Sequence, residues 1–231
     1  MSKRLKTTGL ILAALLVVVG AGVWWFVLRD TAAPKASLDA IGRPPSSGRE
    51  APATPDGDWK VQPTKSAFAG YRIRELFAGS TIKKTATGRT SAVAGSLTVR
   101  DGAIPEAEIR ADLTKLTSKE ARRDSALGER GIETDRFPGA TFVLTSPISL
   151  PASPESGRTY EVKAAGDLTL HGVSRPVTFA IEARWDGATI AVAGSTPIEL
   201  ADYEIDPIEI PGFVKTDDRG TVELQLTFAR P

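Results

Sequence analysis

The chain has 231 residues, of which 41% are hydrophobic, with 29 Lys or Arg against 28 Asp or Glu and a formal net charge of +1. That length suits one domain of roughly 150 to 200 residues plus an appendage, and the near-balance of charge offers no phosphate footprint, so nucleic acid is not an expected partner. With no Cys and one histidine, His171, the chain cannot form disulfides, use a thiolate, or build a cysteine-ligated zinc or multi-histidine metal centre within itself, and no cofactor is expected.

What charge excess there is lies at the start. Residues 1–57 carry seven Lys or Arg and four Asp or Glu, a balance of +3, which leaves 1 − 3 = −2 for residues 58–231. Residues 1–6 form a basic tail, and Thr7 to Leu28 then runs for 22 residues without a charged side chain. At 1.5 Å per residue, about 20 residues cross a bilayer core of about 30 Å, so 7–28 reads as a single transmembrane signal-anchor helix. Lys3, Arg4 and Lys6 precede it, whereas Arg29 is offset by Asp30. The positive-inside rule therefore leaves the N-terminus cytoplasmic and the remainder extracytoplasmic, with Trp24 and Trp25 at the far interface. The alternative is a cleaved signal peptide, but its apolar region should span about 7 to 15 residues and end at small residues. Bulky Trp24, Trp25 and Phe26 stand at that end.

Residues 29–57 hold Pro34, Pro44, Pro45, Pro52 and Pro55 among Ala, Ser, Thr and Gly. This composition predicts a flexible, poorly ordered linker spanning roughly 30 Å end to end.

From residue 58 onward strict alternation predicts antiparallel strands, because successive side chains on a strand point to opposite faces. In Glu106 to Leu113 the polar set Glu106, Glu108, Arg110 and Asp112 alternates with Ala107, Ile109, Ala111 and Leu113. Tyr160 to Leu170, Val177 to Trp185 and Val222 to Phe228 repeat the pattern, the last with Glu223, Gln225 and Thr227 on its wet side. Asp101-Gly102, His171-Gly172 and Asp186-Gly187 supply tight hairpin turns. Ser118 to Gly128 alone reads as a helix, with Ser118 as N-cap and Gly128 as stop. The fold class is all-β with one short inserted helix. Seven or eight strands can close as a barrel or stack as a sandwich, and periodicity leaves that open. Small inward residues, Gly95, Ala107, Ala111, Ala164, Gly166, Ala183 and Gly194, suggest interior space, unless large neighbours fill it.

The order of motifs resembles the YceI-like family. It runs from Asp58-Trp59-Lys60-Val61-Gln62-Pro63, with Phe68 and Tyr71, through Ala111 to Leu116, Arg122 to Leu127 and Phe137 to Phe142, to Gly166 to Val177. Gln62 stands where the family commonly has Asp. The resemblance covers about Asp58 to Phe228 and implies an eight-stranded, lipocalin-like antiparallel barrel whose interior accepts a polyisoprenoid or similar amphiphile. Phe142, Val162, Leu170, Phe179, Ile181, Trp185, Leu224 and Phe228 are the residues expected to line such a cavity, with plain core packing as the alternative. Arg122 and Arg123 are candidates to hold a headgroup or phosphate at the mouth, as is His171, which is otherwise a turn histidine bonding a backbone group.

The functional expectation is a non-enzymatic, membrane-tethered carrier or sensor of such a lipid. A solid-packed interaction or structural module of the cell envelope is the alternative, and a homodimer is left open. An enzyme would need convergent groups with tuned pKa values, and no catalytic residue is assigned.

Overall fold

A computed structural model describes residues 32–42, 54–151 and 153–231. The apolar stretch 7–28 and about half of the expected linker lie outside the described residues, among which no helix is long and apolar enough to cross a membrane.

The described residues form twelve strands, four of which hold the alternating segments at Glu106 to Asp112, Tyr160 to Leu170, Val177 to Trp185 and Val222 to Phe228. The twelve are β1 (Gly57–Val61), β2 (Phe68–Phe77), β3 (Lys84–Thr90), β4 (Val93–Arg100), β5 (Ala103–Asp112), β6 (Gly139–Leu144), β7 (Ile148–Ser149), β8 (Thr159–Leu170), β9 (Val173–Trp185), β10 (Thr189–Glu199), β11 (Glu209–Ile210) and β12 (Val214–Ala229). Eight of them follow one another in the order β1-β4-β5-β6-β8-β9-β10-β12. The ring closes through Lys60↔Ala229 and Val61↔Phe228. Closure rests on the length of β12, whose 16 residues outrun β1. The rest of that edge takes β2, which carries β3 beyond it. The choice between barrel and sandwich is thereby decided by pairing, which strand periodicity does not encode.

Two of the three predicted turns are two-residue hairpins with both residues left-handed, Asp101 (φ 51) with Gly102 (φ 74) and His171 (φ 53) with Gly172 (φ 75). That is the geometry matching the right-handed twist of the strands it joins. At Asp186-Gly187 only the glycine has positive φ.

The helix is shorter than the composition suggested. The α-helix α2 covers Ala121–Ala126, and the chain continues as a π turn over Leu127–Gly131. Ser118 is not its N-cap and Gly128 is not its stop. Instead the Ser118 N–H donates to both carboxylate oxygens of Asp124 at 2.9 and 3.0 Å, and Ser118 Oγ accepts from the Glu120 N–H. This brace tightens the turn ahead of the helix.

Part of the expected linker is seated on the barrel rather than free. Ala33 to Gly42, including the single helical turn α1 (Leu38–Ile41), crosses the outer wall over β3, β2, β12, β10 and β9. The Ala33 N–H donates to Thr87 Oγ1, and the Ser37 N–H to Gln225 Oε1 at 3.0 Å. Arg72, Arg89 and Arg184 donate to the carbonyls of Ala33, Pro34 and Gly42. Leu38 is buried on Ala191 and Ala193, whose small side chains leave a shallow seat on β10. This strap changes the wet face expected for β12: Glu223 is 1% exposed and Gln225 3%. A buried carboxylate needs compensating partners, and Glu223 has Arg72 Nε at 2.9 Å and Arg89 Nη2 at 2.8 Å.

Candidate functional site

The barrel interior divides into a solid half and a hollow half. In the solid half, large side chains lie over the glycines of neighbouring strands. A Cβ added at Gly166 would stand 2.6 Å from Phe142 Cζ, one at Gly194 2.3 Å from Ile181 Cδ1, and one at Gly95 2.8 Å from Ile109 Cδ1. The glycines therefore mark close packing, not space. Phe142 and Phe179 meet edge to face, with centroids 5.1 Å apart, and Trp59, Trp185, Ile190 and Phe228 fill the end beyond them.

Toward the end that carries α2 and the His171-Gly172 turn, a cavity of about 130 Å³ remains. Its wall is apolar: Ala69 and Ile73 from β2, Ala111 from β5, Ala140 from β6, Leu168 and Leu170 from β8 and Val222 from β12. Three alanines, on β2, β5 and β6, leave the width that larger residues would fill. Leu113, Leu116, Leu127, Ile132, Leu200, Ile205 and Ile208 border it from the segments that cross this end. Gly131 lets two of those segments meet, since a Cβ there would stand 2.9 Å from Leu127 Cδ1 and 3.5 Å from Ile208 Cδ1.

Polar groups at the cavity are few and mostly engaged. Arg123 comes from α2, and Glu75, 5% exposed, comes from β2. They form a two-pronged pair, Nε to Oε1 at 2.8 Å and Nη2 to Oε2 at 2.9 Å, while Arg123 Nη1 donates to Ser118 Oγ at 3.3 Å. Thr216 Oγ1 accepts the Ile208 N–H at 2.9 Å. Tyr71 lies over Gly88 with its ring on the cavity wall. Burial pushes its pKa well above the usual tyrosine value, with Glu75 and Asp124 adding to the rise and Arg123 opposing it. The phenol is a neutral hydrogen-bonding group. No set of three or more His, Cys, Asp or Glu side chains suited to a metal ion occurs among the described residues.

The YceI-like domain matches residues 59–228, nearly the whole barrel. The chain belongs to the YceI-like family. Its relatives include a UPF0312 protein of Vibrio parahaemolyticus, 28% identical over 151 residues, which span 62% of this chain and 75% of the relative. A UPF0312 protein of Pseudomonas putida is 34% identical over 115 residues, 46% of this chain and 56% of the relative. Among solved structures, a polyisoprenoid binding domain from Saccharophagus degradans implicated in plant cell wall breakdown has the same fold. It aligns with a TM-score of 0.57 at 17% identity, over 75% of this chain and 98% of that one. Burkholderia cenocepacia BcnA aligns with a TM-score of 0.52 at 18% identity, over 72% and 98%.

In this YceI-like barrel the residues singled out from the sequence do not gather at one place. Of the eight expected to line a cavity, Leu170 alone borders it. Phe142, Phe179, Trp185, Leu224 and Phe228 are buried in the packed core, with Ile181 against it, and Val162 is half-buried in β8. Of the headgroup candidates, Arg123 borders the cavity and Arg122, its neighbour on α2, is exposed. His171 ties the turn to the chain beyond β10: its Nδ1 lies 3.0 Å from the Tyr203 carbonyl and must carry the proton, since a carbonyl only accepts. Its ring also stacks edge-on against Phe137 at 4.3 Å. Of the residues missed, Ala69, Ile73, Glu75 and Ile198 carry no motif, and Tyr71 and Ala140 stand in stretches that carry the resemblance without marking a cavity. Their common property is height within the barrel, which emerges only once strand register is known.

Proposed function

We propose that the chain holds the apolar tail of a polyisoprenoid or similar amphiphilic lipid in this cavity, as a carrier or sensor tethered to the cell membrane through residues 7–28 with the barrel outside the cytoplasm. The observation that carries the reading is the apolar space itself, set in a barrel whose other half is packed solid. An empty apolar void forfeits the contacts its lining would otherwise make, so its retention beside close packing supports a ligand. The Saccharophagus degradans neighbour, described as polyisoprenoid binding, supports the chemistry of the tail. Lys3, Arg4 and Lys6 ahead of the apolar stretch support the orientation.

A cavity of about 150 Å³ holds one benzene, so the space here, about 130 Å³, takes the end of a chain. A longer tail requires the π turn Leu127–Gly131 to part from Ile208. The solid half supports a second reading, a non-enzymatic envelope interaction or structural module.

Native mass spectrometry of the full chain, purified in a mild non-ionic detergent, separates the two. The carrier reading expects a stoichiometric lipid adduct that is lost in Ala140→Leu, a substitution filling the cavity without lowering the melting temperature. An apo mass that stays unchanged after incubation with an isoprenoid makes the module the better account.

A further inference from the structure

We infer that the cavity selects an amphiphile with an uncharged polar head, an alcohol or a carbonyl, over a diphosphate or carboxylate, and that Glu75 is the residue that sets this preference. The inference rests on reading the cavity as a lipid site and concerns the head rather than the tail.

An arginine at the mouth of an apolar cavity is, by itself, a receptor for phosphate. Here Arg123 is already spent. Glu75 occupies two of its donor directions with a fork of 2.8 and 2.9 Å, and Ser118 Oγ takes a third. With Glu75 5% exposed, little water screens this pair, and its charges cancel at close range. Arg72 adds no free cation, since Glu223 holds its guanidinium at 2.9 Å on the outer face of β2. Asp206 borders the cavity, and Asp124 sits one residue from Arg123 bonded to the Ser118 N–H, whereas Arg122 and Arg130 of the same segment are exposed and do not border it. An incoming diphosphate would meet a neutralised pair flanked by carboxylates and would have to displace Glu75, leaving a buried carboxylate unpaired.

A neutral head meets a different wall. Tyr71 lies on the cavity wall with its hydroxyl end over Gly88 of β3, and a phenol there can donate to a carbonyl or exchange a hydrogen bond with an alcohol. No hydrogen bond between protein groups has to break for it to do so.

Equilibrium dialysis of tritiated geraniol and tritiated geranyl diphosphate against the full chain in detergent, with empty micelles as the blank, isolates the head because the two share one tail. Retention of geraniol at least about tenfold tighter than the diphosphate is expected, the scale of one charge-assisted hydrogen bond withheld. Glu75→Gln frees the guanidinium and is expected to shift the ratio about tenfold toward the diphosphate. The double variant Glu75→Gln with Arg123→Gln, neutral again, restores the preference for geraniol, a rescue that a merely structural role for Glu75 would not produce. If circular dichroism shows Glu75→Gln unfolded, Asp206→Asn on the exposed rim is the second variant, expected to shift the ratio the same way by a smaller factor. Equal or tighter retention of the diphosphate by the unaltered chain overturns the inference, as does a ratio that no folded variant moves. Retention of neither compound removes the lipid site itself and this inference with it.

Discussion

Tyr71 shows how position within the barrel sets the chemistry of a single side chain. Its phenol is held neutral chiefly by burial, which disfavours the charged form. In the unfolded chain the same group ionises near pH 10. Above that pH the folded state binds more protons than the unfolded state, so stability is full below about pH 10 and falls as pH rises toward the folded value. Tyr71→Phe should flatten this loss in urea-unfolding curves measured between about pH 9 and pH 11. Tyr203, raised in the same direction first by its burial, remains as the residual slope. An unchanged pH profile in Tyr71→Phe would place the phenol in water. Gly166 makes the complementary point: its value is the absence of a side chain, because Phe142 already occupies the space.

Among the elements, the strap Ala33–Gly42 has the most direct consequence. It is a polar seat built from strands distant in sequence, with Glu223 accepting from the Ala36 N–H as well as from Arg72 and Arg89. The Arg89 guanidinium also lies 3.7 Å from the centre of the Phe68 ring. Breaking one partner of a buried charge network costs about 3 to 5 kcal/mol, more than the network contributes relative to an apolar replacement. Glu223→Gln leaves Arg72 and Arg89 without their anion, and because both guanidinia keep some exposure a loss near the lower end, about 3 kcal/mol, is expected in the urea midpoint. The same variant should make the strap the first site of cleavage in limited proteolysis, since Gln offers one acceptor oxygen where the carboxylate offers two to Ala36, Arg72 and Arg89. A midpoint within about 0.5 kcal/mol of the unaltered chain, the range of an ordinary surface change, would mean that the network adds nothing to the strap's hold.

At the scale of the molecule, ring closure pairs both edges of the eight barrel strands, and the sheet's remaining edge lies on β3, outside the ring. The ring also divides its interior by height: aromatic packing at one end, an apolar hollow under α2 at the other. A ligand that binds the folded state alone raises stability by about 2.7 kcal/mol at a hundredfold excess over its dissociation constant. The proposed topology makes a separate prediction. Protease added to intact cells should degrade the barrel and leave a membrane-bound N-terminal stub, read by an antibody to residues 1–6. Full protection of the barrel would place it on the cytoplasmic side and end the tethered, extracytoplasmic reading.

The sequence by itself determined the four alternating strands β5, β8, β9 and β12, the two hairpin turns at Asp101-Gly102 and His171-Gly172, and the exclusion of disulfide and thiolate chemistry. Each depends on a residue's own type or on its near neighbours. Alternation reports which face a side chain takes, so Leu170 and Phe228 were both legible as inward. It does not report height along the barrel axis, which depends on register across strands, and this is why Leu170 borders the cavity while Phe228 lies in the packed end. Nor does a small residue declare a void: Ala111 and Gly166 both read as space, but Phe142 from the neighbouring strand fills that over Gly166, while Ala111 borders the cavity. Glu223 was read as solvated because its cover, Ala36, lies 187 residues away in sequence. Only the tertiary structure decided these matters, because burial, cavity and charge cancellation are properties of what the fold brings alongside a residue.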